Sequence, residues 1–249
     1  MSGPHSESPA FTPSPEGQTP AWARGLALPR AKSETWRAVG EVIEEEGAQP
    51  SLRLVLSGWA ACCRSLADGR RQILQLVTVG DACGLPQPDA EPSRCTTVAL
   101  TRVRIAEFGA LSEIVRNPAT QSLADLVRTA AARERREMLS HIVRLGRMSA
   151  YERTGHLLLE LLDRQTRTGM AQGASMPLPL TQEVLADTLG LSVVHTNRIL
   201  QQLRREGHIS QRSGRIAFHD PERLASICDF TADPGAPART EGVRLRPIG

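Results

Sequence analysis

The 249-residue sequence predicts an α+β fold in which an antiparallel β-roll, a long helix and a winged helix-turn-helix follow one another. Short apolar runs broken by glycines extend from Trp36 to Phe108, which is typical of an antiparallel β-domain. Helical apolar spacing begins after Asn117-Pro118, and a capped helix pair followed by a hairpin lies between Leu180 and Phe218. The predicted regions are a disordered leader (1–32), the β-roll (33–118), the long helix (119–147), the winged unit (148–231) and a disordered tail (232–249).

Composition sets limits on the class of protein. A hydrophobic fraction of 40% is that of a globular chain, and a net charge of +3 does not by itself indicate a nucleic-acid partner. The sequence has no apolar run of membrane-spanning length and no signal-peptide pattern, so we expect a soluble, cytoplasmic protein. Five cysteines, an odd number, make no disulfide framework and fit a reducing compartment.

The β-roll is predicted from runs such as LRLVLSGWAACC and RQILQLVTV, with Asp68-Gly69 as its strongest hairpin signal. Cys62 and Cys63 are adjacent on one of these strands, so their side chains should point to opposite faces. We therefore expect one of the two thiols in the core and the other at the surface.

The long helix carries apolar residues at offsets of four, seven, four and three, which form nearly one stripe. Such a stripe favours a homodimer seam, and the alternative is a helix packed against its own β-domain. The charged run at 133–137 interrupts the stripe and is interpreted as a solvated face. The predicted seam residues are Val127, Ala131, Met138, Ile142 and Leu145.

The winged unit is predicted from its punctuating residues. Thr181 and Ser192 stand where helix N-caps belong, and Gly190 supplies the left-handed conformation of a sharp turn. A hairpin of suitable length follows over 209–218, with Ser213-Gly214 as its turn. An ordinary helix pair is the alternative, but two caps, a turn glycine and a wing agree on the helix-turn-helix. Outward residues of its second helix would meet the major groove of DNA.

The order of these regions resembles that of the Crp/Fnr transcription regulators, the family of the cyclic AMP receptor protein and the fumarate-nitrate reduction regulator. The resemblance covers about residues 35–230 and is most specific in GW…C…LADGRRQIL…VGD (58–81), LGRMSAYERTGHLL (145–158) and LADTLGLSVVHTNRIL (185–200). It is closest to family members that lack a known cyclic-nucleotide ligand. It implies a β-roll of the cyclic-nucleotide-binding type, a homodimer on an inverted repeat of double-stranded DNA, and RNA polymerase as a partner.

The resemblance also assigns roles in reading DNA. Arg198 matches the family's recognition arginine, whose guanidinium can bond O6 and N7 of guanine. Two valines stand where some members carry Arg and Glu, which favours contact with thymine methyl groups. His195 and Asn197 would touch phosphate or a base edge, with plain solvation as the equal alternative. The predicted DNA-binding residues are Thr181, Gln182 and Ser192 at phosphates, Val193, Val194, His195, Asn197 and Arg198 on the recognition helix, and Arg212 and Arg215 on the wing.

The chain departs from the family's ligand-binding patterns. Gly84-Leu85-Pro86 replaces the Gly-Glu-Leu whose glutamate takes the ribose, and Arg94 lies about one position out of register with the phosphate arginine. We therefore expect no cyclic nucleotide. The first cysteine is Cys62, so the N-terminal cysteines of an iron–sulfur cluster are missing, and no cofactor is expected.

Three alternatives stay open. The first is a thiol-redox or metal-responsive regulator acting through Cys62, Cys63, Cys83 and Cys95. The second is a winged module that binds protein rather than DNA. The third is an enzyme built around His141, His156 or the cysteines, which is disfavoured because neither histidine has a paired carboxylate or Cys at ligand spacing, so no enzyme activity is expected.

Overall fold

Eight strands between residues 33 and 110 form the predicted β-roll as two four-stranded antiparallel sheets. The computed structural model describes residues 31–85, 91–110 and 121–232. The predicted leader and tail, Pro86, and the helix start predicted after Asn117-Pro118 lie outside these ranges. One sheet has the order β1 (Ser33–Arg37), β8 (Val103–Ala110), β3 (Ser51–Ser57), β6 (Ala82–Cys83), and the other β2 (Val42–Glu44), β7 (Thr96–Ala99), β4 (Ala60–Ser65), β5 (Arg71–Val77).

The roll closes around a small apolar core and uses the predicted hairpin. Its interior is filled by Val55, Val77, Val103 and Ile105, each at most 1% exposed. Strands β4 and β5 are joined at Asp68-Gly69, where Gly69 has φ of +85° and Leu66 N–H donates to the carbonyl of Arg70 at 2.7 Å. The antiparallel β-domain predicted from the sequence is confirmed.

A 27-residue helix, α1 (Gln121–Arg147), follows the roll, and its N-terminal part packs against the roll of the same chain. Leu123, Val127 and Ala130 are buried against Leu52 and Phe108 of the roll. Val127, predicted at a dimer seam, therefore lies in the core of its own protomer. This correction has a simple cause, because the exposed face of the first sheet must be covered and the start of α1 covers it.

Helix α2 (Ala150–Arg167) begins at a capping box that the sequence analysis did not use. Ser149 Oγ accepts from the backbone N–H of Glu152, and the Glu152 carboxylate accepts from the N–H of Ser149 at 2.8 Å. These bonds satisfy donors that the first turn would otherwise leave unpaired. The helix buries an apolar face that includes Leu157, Leu158 and Leu161.

The winged unit contains the predicted helix pair and hairpin. Helices α3 (Gln182–Leu189) and α4 (Val193–Arg205) precede β10 (Ile209–Arg212) and β11 (Arg215–Phe218), and α5 (Pro221–Ile227) follows. A strand that the sequence did not predict, β9 (Ser175–Pro177), pairs with β11 and widens the wing to three strands. The sequence does not indicate this strand, because three residues are too few to show an alternating pattern and the glycines and proline around them are typical of a loop.

One apolar core joins the roll to the winged unit. Trp59, just before β4, and Ala61 and Cys63 on the outer side of β4 belong to the same buried cluster as Leu158 of α2 and Leu203 of α4. Cys63 is 5% exposed and lies in this core, as expected of one of the two adjacent cysteines, whereas Cys62 is half-buried rather than fully at the surface. The outer face of β4 is covered because the winged unit packs on it.

A buried ionic cluster holds three elements together around Arg164 of α2. Its guanidinium pairs with Asp81 at the end of the β5–β6 turn and donates to the carbonyl of Leu76 at 2.7 Å. Glu137 of α1 lies 3.4 Å from Arg164 Nε. Only 4% of the Arg164 side chain is exposed, so its charge depends on these partners.

The charged run of α1 supplies part of this cluster and is not the solvated face that the sequence suggested. Arg133 lies 3.4 Å from Asp81, and Arg144 pairs with Glu160 while 4% of its side chain is exposed. Arg133, Glu137, His141 and Arg144 recur at helical spacing and so share one face, whereas Arg135 and Arg136 are exposed.

Within the described ranges, no helix is both long enough and apolar enough to cross a membrane.

Replacing Arg164 with methionine should destabilise the fold severely, because Asp81 and Glu137 would keep buried charges without their main partner. We expect a loss of about 3–5 kcal/mol in the free energy of unfolding, measured by urea titration at neutral pH. The control is Arg70→Met, whose ion pair with Asp68 is exposed at 77% and 52% of the two side chains. That change should cost less than about 1 kcal/mol. Equal losses in the two variants would contradict the role given to the cluster.

Candidate functional site

The helix-turn-helix is capped at both helix starts as predicted. Thr181 Oγ1 accepts from the N–H of Val184 at 3.2 Å, and Ser192 Oγ accepts from the N–H of His195 at 3.2 Å. Gly190 ends α3 in the left-handed conformation, with φ of +63°. These three positions fix the angle at which α4 leaves α3.

The turn at Gly190 is also a point of close approach between elements. A Cβ at this position would lie 3.2 Å from Leu145 Cδ2 of α1. Arg153 of α2 donates to the carbonyls of Leu189 at 2.7 Å and Leu145 at 3.0 Å, so it ties the ends of α1 and α3 together. Leu145, predicted at the dimer seam, instead faces the turn of its own winged unit.

One face of helix α4 carries both polar and apolar side chains and is exposed to solvent, and the opposite face is buried. Val194 is 71% exposed and Val193 39%, whereas Thr196, Ile199, Leu200 and Leu203 are buried. His195 and Arg198 are exposed, and Arg198 has no hydrogen-bond or ion-pair partner among the residues that the structure describes. Asn197 is half-buried, and its Oδ1 accepts from Gln182 Nε2 at 3.3 Å. Every predicted recognition residue thus lies on or beside the open face.

The two arginines of the wing lie beside this face and differ in their exposure and hydrogen bonding. Ser213 and Gly214 both have positive φ, 50° and 70°, which makes the tight turn that the sequence predicted. Arg212 is exposed at this turn. Arg215 is half-buried and donates to the carbonyl of Ser175 on β9 at 3.2 Å. Arg212 is therefore more available than Arg215 for a contact with another molecule.

An apolar stripe is exposed on the second half of α1. Met138, Leu139, Ile142 and Val143 are 47%, 56%, 59% and 50% exposed. Ala131, nearer the start of the predicted seam, is half-buried. Sequence reasoning missed Leu139 and Val143, although an apolar pair that repeats after four residues, at 138/139 and 142/143, is the signal that indicates both.

A small pocket inside the roll has an acidic lining. Glu44 and Glu134 face it together with Gln75, Cys62 and Cys95, and no arginine or lysine is among its described lining residues. Arg94, the residue nearest the expected phosphate position, has a side chain that is 74% exposed and pairs with Glu91. The described part of the pocket therefore offers a phosphate no positive charge.

Two carboxyl groups of α1 near the pocket, those of Glu134 and Glu137, have pKa values shifted toward the neutral form. Burial raises the pKa of Glu134 to about 7, and the neighbouring carboxylates, Glu137 first, add to the shift. Burial also raises the pKa of Glu137, against the opposing effect of Arg164. Protons rather than cations thus balance part of the negative charge at this junction of α1 and the roll.

Two of the five cysteines are joined, which corrects the expectation of a chain without disulfides. Cys62 of β4 and Cys95, next to β7, form a disulfide in the wall of the pocket, with their Cα atoms 6.1 Å apart. Cys63, Cys83 and Cys228 are free and buried, and burial raises the pKa of each thiol. No group of three or more His, Cys, Asp or Glu within the described ranges has the arrangement of a metal site.

His141 and His156 are buried on either side of Arg144. The Arg144 guanidinium lies 3.3 Å from His141 Nδ1 and 3.2 Å from His156 Nδ1. Burial and this guanidinium lower the pKa of His141 to about 4 and also lower that of His156. Both imidazoles are held neutral inside the ionic cluster, and both act there as structural partners of Arg144.

The fold and the exposed face of α4 define a transcription regulator with a helix-turn-helix DNA-binding domain. Residues 37–112 match the family model of the cyclic nucleotide-binding domain, and residues 152–227 match that of the Crp-like helix-turn-helix domain. The nitrogen fixation regulation protein FixK of Bradyrhizobium diazoefficiens is 30% identical over 191 residues, which cover 75% of this chain and 77% of that protein. The chain belongs to the Crp/Fnr family of transcription regulators.

Two further comparisons extend the similarity over more of the chain. FixK of Azorhizobium caulinodans is 27% identical over 227 residues, covering 86% of this chain and 91% of that protein. The structure of FixK2 from Bradyrhizobium japonicum superposes with a TM-score of 0.69 and 26% identity, covering 82% of this chain and 98% of that one. The roll, the long helix and the winged unit are therefore arranged as in a solved member of the family.

Replacing Glu134 with glutamine should stabilise the protein at alkaline pH. The pKa of Glu134 is raised from 4.5 to about 7, so the folded state binds more protons than the unfolded state between these values. Wild-type stability contributed by this group is present below about pH 4.5 and is lost as the pH rises through about 7. At pH 8 we expect the variant to be more stable by up to about 3 kcal/mol, and near pH 4.5 the two should agree. Urea unfolding across this range measures the difference, with the exposed Glu45→Gln as control, and a pH-independent difference would refute the assignment.

Proposed function

We propose that this protein is a homodimer that reads an inverted-repeat operator in the major groove of double-stranded DNA and needs no cyclic nucleotide to do so. The observation that carries the proposal is the open face of α4, where Arg198 lies among exposed side chains on a helix whose start is capped by Ser192. The proposal extends the family assignment, which gives a DNA-binding transcription regulator.

Arg198 is the proposed source of base specificity. A guanidinium can donate two parallel bonds to O6 and N7 of guanine, and no described residue competes for that of Arg198. Val193 and Val194 would contact thymine methyl groups, since they expose apolar surface at the start of the helix that enters the groove. His195 and Asn197 lie beside them and would touch phosphate or a base edge.

The helix starts and the wing are the proposed phosphate contacts. Thr181, Gln182 and Ser192 lie at helix N-termini, where backbone amides and the helix dipole favour an anion. Arg212 and Arg215 flank the wing turn and would add affinity that depends on salt and not on sequence. The Arg215 guanidinium already donates to Ser175, so the larger share should come from Arg212.

The exposed stripe of α1 is the proposed dimer interface. Met138 and Ile142 of the predicted seam stay in it, joined by Leu139 and Val143, whereas Val127 and Leu145 contact their own chain. Ala131, half-buried, would lie at the edge of the contact. A two-fold axis along this stripe would place two recognition helices one helical turn of DNA apart. RNA polymerase is the further partner proposed, and the cytoplasm the location, as the family's work on transcription implies.

Selection of duplexes from a random DNA pool tests the reading of the operator. The reduced and the oxidised protein should each be used, and at least one should enrich an inverted repeat. Arg198→Ala should lose the preference at one guanine of each half-site, at about 1–3 kcal/mol per contact. The control is Arg205→Ala, which removes the same charge from an exposed position in the last turn of α4. An unchanged operator for Arg198→Ala would contradict the role given to Arg198, and the absence of any enrichment would favour the module that binds protein instead of DNA.

Sedimentation equilibrium tests the dimer. Replacing Ile142 with glutamate would bury an unpaired charge in the interface, so we expect the dimer dissociation constant to rise by about 100-fold or more. Val39→Glu is the matched control, because Val39 is 70% exposed and lies in the turn between β1 and β2, not on α1. A dimer of wild-type stability in the Ile142 variant would place the interface elsewhere.

Titration calorimetry with cyclic AMP and cyclic GMP tests the absence of a nucleotide ligand. The described lining of the pocket offers no arginine or lysine, and Arg94 points outward and pairs with Glu91, so neither supplies a partner for a cyclic phosphate. We expect no saturable heat and no change in the affinity for the selected operator. Saturable binding of either nucleotide would contradict this part of the proposal.

A further inference from the structure

The disulfide between Cys62 and Cys95 lies where the roll meets both the long helix and the winged unit. We propose that this pair is a reversible thiol oxidation site, with hydroperoxides as its oxidant class, through which the β-roll sets the DNA affinity of the winged unit. The inference rests on the proposed function, since it uses DNA binding as its output. It gives the roll an input other than a nucleotide.

The sheet itself brings the two sulfur atoms together. Cys62 stands opposite Thr97, and Cys63 opposite Thr96, in the β4–β7 ladder. Cys95 immediately precedes Thr96 in the chain, so the backbone holds it near β4 whether or not the bond is present. The Cα separation of 6.1 Å lies in the usual range for a disulfide. A reduced pair would thus remain in place to be oxidised again.

Access selects this pair from the five cysteines. Cys62 and Cys95 are half-buried at the pocket, whereas Cys63, Cys83 and Cys228 are buried. Burial raises the pKa of the Cys63 and Cys83 thiols, and only thiolates react rapidly with peroxides. A small oxidant in solution can therefore reach the pair and not the other three.

The position of Cys62 couples it to both neighbouring elements. Its partner across the β4–β5 ladder is Gln75, whose amide donates to Glu137 of α1 at 3.4 Å. Glu137 in turn pairs with Arg164 of α2. The next residue, Cys63, packs in the core shared with the winged unit, and the β4–β5 register shifts between Cys62 and Cys63. Forming or breaking the disulfide at Cys62 therefore affects the contacts on both faces of β4.

The contact that such a change would loosen is visible on β5. Arg71 Nη2 pairs with Asp187 of α3 at 2.8 Å, and Gln72 Nε2 donates to the carbonyl of Thr188 at 3.3 Å. The disulfide-bonded form holds the helix-turn-helix against the roll with the recognition face open. Because a fixed orientation reduces the entropy lost on binding, the oxidised form should bind DNA more tightly.

The chemistry balances in two steps. One thiolate attacks the peroxide oxygen, which gives a sulfenic acid and releases hydroxide from hydrogen peroxide or an alkoxide from an organic hydroperoxide, and a proton converts the released anion to water or an alcohol. The second thiol displaces the sulfenic hydroxyl, which forms the disulfide and releases a second water when hydrogen peroxide is the oxidant. Two thiol–disulfide exchanges with a dithiol reverse the change and leave the dithiol oxidised. In a reducing compartment such a bond would be transient, as expected of a sensor.

The full-length protein, reduced with dithiothreitol or oxidised with hydrogen peroxide, is used to test the proposal. Tryptic peptides 54–64 and 95–102 should be cross-linked after oxidation and separate after reduction. Peptide 54–64 contains both adjacent cysteines, so Cys63→Ser must keep the cross-link and Cys62→Ser must abolish it. Failure of peroxide to form this cross-link, or of dithiothreitol to break it, overturns the proposal.

Fluorescence anisotropy with the selected operator measures the output. We expect the oxidised protein to bind at least about five-fold more tightly than the reduced protein. Cys62→Ser and Cys95→Ser should bind equally under both conditions. Cys83→Ser, which changes a free thiol of the same pocket, should keep the wild-type ratio. Equal affinities of the fully cross-linked and fully reduced protein would show that the bond only supports the roll, and the proposal would fail while the DNA-binding function stood.

Hydrogen exchange separates the two hypotheses if neither form binds DNA. In that case the proposed function fails, but residues 71–77 and 182–189 should still exchange more slowly in the oxidised protein. Equal exchange in the two forms overturns the coupling as well. A difference that persists in Cys83→Ser and disappears in Cys95→Ser supports it.

Discussion

The need to neutralise Arg164 inside the protein constrains the rest of the structure. Its partners come from three separate elements, with Asp81 from the roll, Glu137 from α1 and Glu160 from α2. A buried charge is tolerated only when its partners surround it, so the three elements must meet in one arrangement. The apolar core supplies most of the favourable free energy, and the ionic cluster determines how the roll, the long helix and the winged unit are placed relative to one another.

Signals that act over a few residues made the elements predictable. The caps at Thr181 and Ser192 and the turn at Gly190 depend only on neighbours in the chain, so the sequence indicates them directly. The inward face of the 133–137 run could not be found this way. Its charges look solvated until Asp81, far away in the sequence, is placed opposite Arg133. The strand β9 has the same difficulty, because it exists only through its pairing with β11.

The candidate site was predictable to a similar extent, and for the same reason. Exposure on α4 follows from helical periodicity, so the open recognition face agrees with the sequence. The stripe on α1 was recognised, but its two ends belong to the protomer itself, since Val127 covers the roll and Leu145 reaches Gly190. The disulfide joins residues 33 positions apart, a contact that spacing alone does not indicate.

The core shared by β4 and the winged unit bears on how this family member could be recombined. The β-roll and the winged unit are not independent modules, because Trp59, Ala61 and Cys63 pack in one core with residues of the winged unit. A chimera that joined this winged unit to another member's roll would expose or mismatch that surface unless β4 and β5 were transferred too. Among relatives, the sequences of these two strands should therefore vary together with that of the helix-turn-helix rather than with that of the remainder of the roll.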